Sequence, residues 1–264
     1  MAATVWKGLC NFGMVSFPVK LHSAARSETV SFNLLHASDN SRIKQITYCQ
    51  AEDKPIARGE TVKGYEYEKD RYVVIDEEDI KKVAPKSSKV MEILEFVPAN
   101  SVDPVYLDSS YYVHPDSGGE KPYGLLLQAL RAEGKCAVAK LAMHNREHTV
   151  IIRPGKTGLV LHTMFYQDEV RAVEEFRTDT GLVKDKELAM ARMLVGSMTE
   201  DFQPEKYHDT FRENLMALIE TKKEGRAAQA TPEEPAQAPI FDILEALRAS
   251  VESKTAGKKK RKVA

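Results

Sequence analysis

From residue 1 to about 175 the chain is a succession of short apolar runs separated by turn residues. That punctuation commits it to a mainly β body. VWKGLCNFGMVSFPVKLHSA holds two such runs with Asn11-Phe12-Gly13 between them, as in a strand pair. TVKGYEYEKDRYVVIDEEDI repeats the arrangement: GYEY and RYVVI flank a polar Glu68-Lys69-Asp70 turn. Asp76 is then placed to cap a short helix through EEDIKKV. VMEILEFV, DPVYLDSSYYVHP, CAVAKLAM, HTVIIRP and GLVLHTMFY are further β-rich pieces. One helix interrupts them, KPYGLLLQALRAEG, with Gly134 placed to end it.

The period changes from about Asp185. DKELAMARMLVGSMTEDF spaces Leu188, Ala191, Leu194 or Val195, and Met198 at helical intervals. Pro204 suits the first turn of a second helix, PEKYHDTFRENLMALIETKK, with Tyr207, Phe211, Leu215 and Leu218 on one stripe. EGRAAQATPEEPAQAP, rich in Ala, Pro, Gln and Glu, has the composition of a linker. Beyond it, PIFDILEALRASVE puts Ile240, Ile243, Leu244, Leu247 and Val251 on one helical face. The predicted organisation is a core over 1–222, a flexible linker over 223–238 and an extension over 239–264.

Three cysteines, Cys10, Cys49 and Cys136, lie far apart without a CxxC, which reads as free thiols in a reducing cytosol. No run approaches the ~18 apolar residues of a membrane helix, and MAATVWKGLCNFG lacks the apolar core of a signal peptide. An intracellular soluble protein is expected.

Catalytic chemistry is not expected. His144-Asn145-Arg146-Glu147-His148 fits the H-x-x-E-H pattern of inverted zinc metallopeptidases, which needs both histidines one turn apart on a helix. Here the motif lies between two β-like runs, so Asn145-Arg146 reads as a hairpin tip and the geometry fails. His36 and Cys49 lack a second ligand pair, and the carboxylates of residues 76–79 suit a helix N-terminus without a metal. Neither a phosphate-cradling glycine loop nor a GxSxG is present. No metal and no cofactor are predicted.

Charge points elsewhere. Residues 221–264 hold ten Lys/Arg against six Asp/Glu, while residues 1–220 hold 28 against 33. A body with surplus acid and a tail with surplus base indicate a polyanionic partner for the tail. Within the body, residues 131–162 and 1–50 are net basic, and acid gathers at 66–80 and 163–188. A basic inner surface with an acidic exterior produces such blocks, and so does ordinary surface variation.

VWKGLCNFGMVSFPVKL, VKGYEYEKDRYVVIDEEDI, DPVYLDSSYYVHPD, KPYGLLLQALRAEGK, NREHTVIIRP and QDEVR, in that order, resemble the core of the bacterial Ku family from about residue 3 to 222. The resemblance implies a β-barrel core with extended arms and a C-terminal helical segment, mainly β with α, and two copies interlocked as a ring-forming homodimer around duplex DNA. It implies sequence-independent binding of double-stranded DNA ends in non-homologous end joining, in the bacterial cytoplasm at the nucleoid. It also implies a partner, the multidomain ligase D, engaged through the stretch that includes Ile240, Ile243, Leu244, Leu247 and Val251. A ring selects ends by threading, so it needs phosphate contacts and no base contacts. Carried onto this sequence, the lumen candidates are Arg146, Arg153 and Arg171, with Lys7, Arg42, Lys44, Arg71 and Lys135.

TAGKKKRKVA adds Lys258, Lys259, Lys260, Arg261 and Lys262 as a phosphate-binding arm. The same run matches a nuclear-import signal, and an added tag has the same appearance. The rival function is a non-catalytic β-rich adaptor that recruits an enzyme through its C-terminal helix, with DNA binding incidental.

Overall fold

The computed structural model describes residues 3–83, 89–143, 146–172 and 179–225. The chain divides into two units, residues 1–172 and 173–264, a division that falls inside the predicted 1–222 core. In chain order the first unit contains β1 (Thr4–Phe12), β2 (Val15–Ser23), β3 (Tyr48–Cys49), β4 (Lys54–Pro55), β5 (Lys63–Glu68), β6 (Arg71–Ile75) and α1 (Glu77–Val83). It continues with β7 (Val90–Pro98), β8 (Leu107–Pro115), α2 (Glu120–Glu133), β9 (Lys135–Met143), β10 (Arg146–Pro154) and β11 (Leu159–Met164). The second unit contains α3 (Asp185–Met198) and α4 (Thr210–Lys223).

Seven strands close a barrel in the order β1-β2-β8-β11-β10-β9-β7. Neighbours alternate direction, and in a ring of odd number the alternation must fail once. It fails at β1–β7, which pair in parallel through Leu9–Val90, Cys10–Met91 and Asn11–Glu92. Gly8 sits at this seam. A Cβ there would strike the Lys89 carbonyl and the Trp6 ring, so no larger residue fits.

Strand alternation fills the interior. Phe17, Val19 and Leu21 of β2, Ala137, Ala139 and Leu141 of β9, Val150 and Ile152 of β10, and Leu159 and Leu161 of β11 are all buried together. Tyr123, Leu126 and Leu130, spaced along one face of α2, join the same cluster. The Tyr123 hydroxyl fastens helix to barrel: it donates to the Val113 carbonyl (2.9 Å) and accepts from Leu159 N–H (2.7 Å). Gly134 ends α2 at φ 60°, the left-handed cap anticipated for it.

Two long stretches contribute nothing to that core. The chain leaves the barrel where Ala24 N–H meets the Ser110 carbonyl (3.0 Å) and returns where Leu9 N–H meets the Lys89 carbonyl (2.7 Å). Among the described residues between 25 and 83 none is buried, and Phe32, Leu34, Tyr65, Tyr72 and Val74 are each more than half exposed. The β3–β4 and β5–β6 pairs here are isolated two-stranded sheets, and Asp79 N–H to the Asp76 carboxylate (2.8 Å) starts α1 as expected. In the second unit α3 and α4 also lack any buried residue.

Two boundaries differ from the sequence reading. Residues 104–106 form a short 3-10 turn, not strand, because Asp103 caps it through Val105 N–H. The second late helix begins at Thr210. Pro204 opens only a 3-10 turn over 204–206, and Asp209 supplies the helix cap by accepting from Arg212 N–H (3.0 Å). Among the described residues no helix is long and apolar enough to cross a membrane. The predicted linker beyond residue 225 and the amphipathic stretch lie outside the described residues.

Candidate nucleic-acid interface

The strand pairing that buries one side of each barrel strand sorts charge on the other. FPVKLHS puts Phe17, Val19 and Leu21 inside and Lys20 and His22 outside. Cross-strand register then lines up two outward rows. Lys7 pairs with Lys20, and Lys20 with His114, across β1, β2 and β8. His22 pairs with Tyr112, Tyr112 with Val160, and Val160 with Arg153, across β2, β8, β11 and β10. At about 4.8 Å per strand the three strands of the first row span roughly 10 Å, and the second row continues around the closed barrel to β10 on its far side.

Two lysines directly opposite each other repel. Asp116, only 14% exposed, lies between them, 2.6 Å from Lys7 Nζ and 2.7 Å from Lys20 Nζ, and accepts from Ser117 N–H (3.0 Å). Lys20, Lys7 and the Ser117 amide hold its carboxyl well below the usual range. The trio keeps one net positive charge. His22 and His114 meet edge to face, 6.5 Å between centroids. The outward positions of β7 and β9 and the first half of β10 are different: Glu92, Glu95 and Glu147 accompany Lys140, which pairs with Glu147 at 2.8 Å. Base and acid occupy separate sectors, so a nearly neutral chain presents a cationic surface able to engage phosphates.

The residues singled out from sequence are dispersed. Lys7 stands in the basic row, and Arg153 ends the second one. Arg153 adds its charge to burial in pushing His162 below its ordinary value, and opposes the burial that raises the Cys136 thiol. Arg146, seven residues before Arg153 on β10, has the opposite strand parity. It opens β10 opposite Met143, pairs with Glu169 at 2.8 Å and lies 5.8 Å from the Tyr166 ring centre. Glu169 raises the Arg146 guanidinium, while the Tyr166 amide and then Arg146 lower Glu169. Arg42 and Lys44 lie in the unburied stretch, where Arg42 donates to Asn33 Oδ1 (2.9 Å). Arg71 begins β6 and pairs with Glu68 at 2.9 Å. Lys135 opens β9 opposite Pro98, and Arg171 is exposed beyond β11. Lys258 to Lys262 and the stripe from Ile240 to Val251 lie outside the described residues.

Lys20, His22 and His114 escaped the sequence reading. The signal was present in the alternation of β2, but charge counted in blocks along the chain cannot register which face a residue takes. Glu147 and His148 of the zinc-like motif lie on a strand, and His144 lies outside the described residues. Among the described residues no group of three or more His, Cys, Asp or Glu is placed to hold a metal. Burial pushes the Cys10 thiol up to about 12, so it behaves as a core residue.

A closed barrel plugged by one helix, with a cationic outer sector, defines a β-barrel class of protein suited to polyanions. The family model described as the Ku70/Ku80 beta-barrel domain matches residues 11–190. Curated relatives share the name non-homologous end joining protein Ku. That of Solibacter usitatus is 48% identical over 98% of this chain and 97% of its own. That of Koribacter versatilis is 48% identical over 95% and 86%. That of Bacillus subtilis is 36% identical over 94% and 81%. The chain belongs to the Ku family.

Proposed function

We propose that this chain binds the ends of double-stranded DNA, without sequence preference, in non-homologous end joining, and does so as a homodimer. The basic outer sector of the barrel carries the reading. Lys7, Lys20 and His114 stand in register on the adjacent strands β1, β2 and β8, where phosphates can be met at any sequence.

The unburied segments support the second copy. Isolated two-stranded sheets are marginal in water, and residues 25–83 expose large apolar side chains with no core of their own. A second copy interlocked over them supplies the missing cover, and interfaces of that kind bury more than ~2,000 Å². Two copies closing a ring explain selection of ends, because only a free end threads. In this reading residues 1–222 form the ring, residues 239–264 recruit ligase D through the apolar stripe, and Lys258 to Lys262 add a phosphate-binding arm.

The test compares linear DNA with covalently closed circles of the same sequence at ~150 mM salt, where nonspecific contacts are weakened. Linear DNA should be retained and circles not. Equal binding overturns end recognition and favours the adaptor reading. Sedimentation at micromolar concentration should give a species near twice 29.6 kDa, and a well-folded monomer there removes the ring.

A further inference from the structure

The basic face is not flat. The β10–β11 hairpin, together with β2 and β8, walls an open cleft of about 900 Å³. Lys20, His22, His114 and Lys156 line it, and Tyr112 and Val160, paired across β8 and β11, give it an apolar wall. None of its lining residues is acidic.

The cleft is built and held. Arg131 of α2 donates to the carbonyls of Gly155 (2.7 Å) and Lys156 (3.0 Å), which fixes the hairpin backbone beside the helix. A Cβ on Gly158 would meet the Tyr123 hydroxyl at 2.6 Å, so the hairpin approaches the helix closer than any other residue allows. His114 Nδ1–H donates to the Pro115 carbonyl (2.7 Å), which sets the ring's orientation.

Duplex phosphates alone would use the cations and leave the Tyr112–Val160 wall empty, because paired bases hide their faces in the stack. A ligand that is aromatic and anionic at once uses both. We infer that this cleft takes one unpaired nucleotide at a DNA terminus, its base on the Tyr112 ring and its phosphates among Lys20, His114 and Lys156. The size suits it, since pockets for small ligands run roughly 300–1,000 Å³. Stacking on an aromatic ring is tolerant of sequence, as end joining of arbitrary breaks requires. The inference rests on the reading that this face meets DNA, and it adds that frayed or single-stranded termini are held more firmly than blunt ones.

The experiment uses the full chain with two probes. One is a hairpin duplex with a single open end, either blunt or carrying a short 3′ extension that contains 2-aminopurine. The other is a 5′-phosphorylated single-stranded oligonucleotide with the same fluorophore. The extended end should bind at least about fivefold more tightly than the blunt one, the least that base-on-aromatic stacking contributes, with the fluorophore quenched. Y112A should erase that advantage and the quenching, and Y112F should keep both. Should Y112A melt early, Lys156→Gln decides: loss of the advantage supports the cleft and its persistence overturns it. Equal binding of blunt and extended ends by the unaltered protein overturns it, as does Y112A weakening both alike. Competition by inorganic phosphate that abolishes the advantage without relieving quenching also overturns it, leaving a simple anion site. If linear and closed duplexes prove indistinguishable, end binding fails, while quenching of the single-stranded probe still reports on the cleft alone.

Discussion

Neutralising one carboxylate should tighten DNA binding. Asp116 carries the only negative charge in the Lys7–Lys20–His114 row, and both ammonium groups contact it. Because its carboxyl is held below the ordinary value of 3.8, it is fully ionised at pH 7. Asp116→Asn therefore raises the trio from one net positive charge to two. The amide oxygen can still accept from Ser117 N–H, so the local turn survives. One further phosphate neutralised steepens the log–log salt dependence by about 0.9. With the two binding curves meeting near ~1 M salt, affinity rises about fivefold at ~0.15 M and about fifteenfold at ~0.05 M. Stability should move the other way. A carboxylate whose folded pKa is depressed stabilises the fold above 3.8 and loses that contribution as pH falls through its folded value. The variant should melt below the unaltered protein at pH 7, and the gap should narrow progressively as the pH falls below 3.8. Anisotropy titrations on linear DNA across a salt series, beside thermal melts at both pH values, read all of this. Unchanged affinity and slope with the expected melting loss would mean that the row does not face phosphate. Weakened binding would mean that Asp116 acts by placing the lysines, not by its charge.

Arg146 lies off the basic rows and is already paired with Glu169, so Arg146→Glu should leave DNA affinity and its salt slope nearly unchanged, and a slope reduced by about one contact on all sequences would place Arg146 against phosphate. Tyr123→Phe strands the Val113 carbonyl and the Leu159 amide in the core, which should cost about 2 kcal/mol and lower the melting temperature by roughly 4–8 °C; an unchanged melt would mean that water replaces the hydroxyl. Deleting residues 254–264 should lower DNA affinity and its salt slope yet leave ligase stimulation intact at saturating DNA. Changing Leu244 and Leu247 to Asp should do the reverse, and equal damage to one function by both changes would make the segment a single unit. Amide exchange should be slow in the barrel at every concentration, whereas protection across residues 25–83 should rise with protein concentration as the dimer forms; protection independent of concentration would refute dependence on a second copy.

The strands and turns of the barrel were largely legible in the sequence. Both Gly13 and Asp70 take positive φ at the turns read there, and α2 stops at Gly134 as its cap predicts. Those signals are local: a turn residue, a capping side chain, an apolar period. Closure was not local. The β1–β7 pairing joins segments some eighty residues apart, and nothing within either run announces a parallel partner. The site was legible only by halves for the same reason. Lys7 and Arg153 were found by residue type, but Lys20 became significant only when register set it opposite Lys7. Arg146 and Arg153 sit in one basic block of sequence, yet an odd separation on a strand gives them opposite parity. The Pro204 boundary failed because a proline suits the first turn of an α-helix and a 3-10 turn equally, and the Asp209 cap decided between them.

Where the core lies determines which parts of the chain can change independently. Among the described residues the hydrophobic core of the first unit is made by the barrel strands and α2. The basic rows project from the outside of those strands, so their side chains can be exchanged without opening the interior. The reverse holds between residues 25 and 83, where described residues have no buried side chains and the apolar ones face outward. Substitution there removes little from this chain's own core and acts on whatever covers the surface. In the proposed dimer, charge for phosphates sits on the self-supporting part of the fold, and the apolar surface that a second copy would cover sits on the part without a core of its own. On that proposal, a dimer that comes apart keeps its cationic barrel face but loses the cover over residues 25–83, and with it the distinction between an end and any other stretch of duplex.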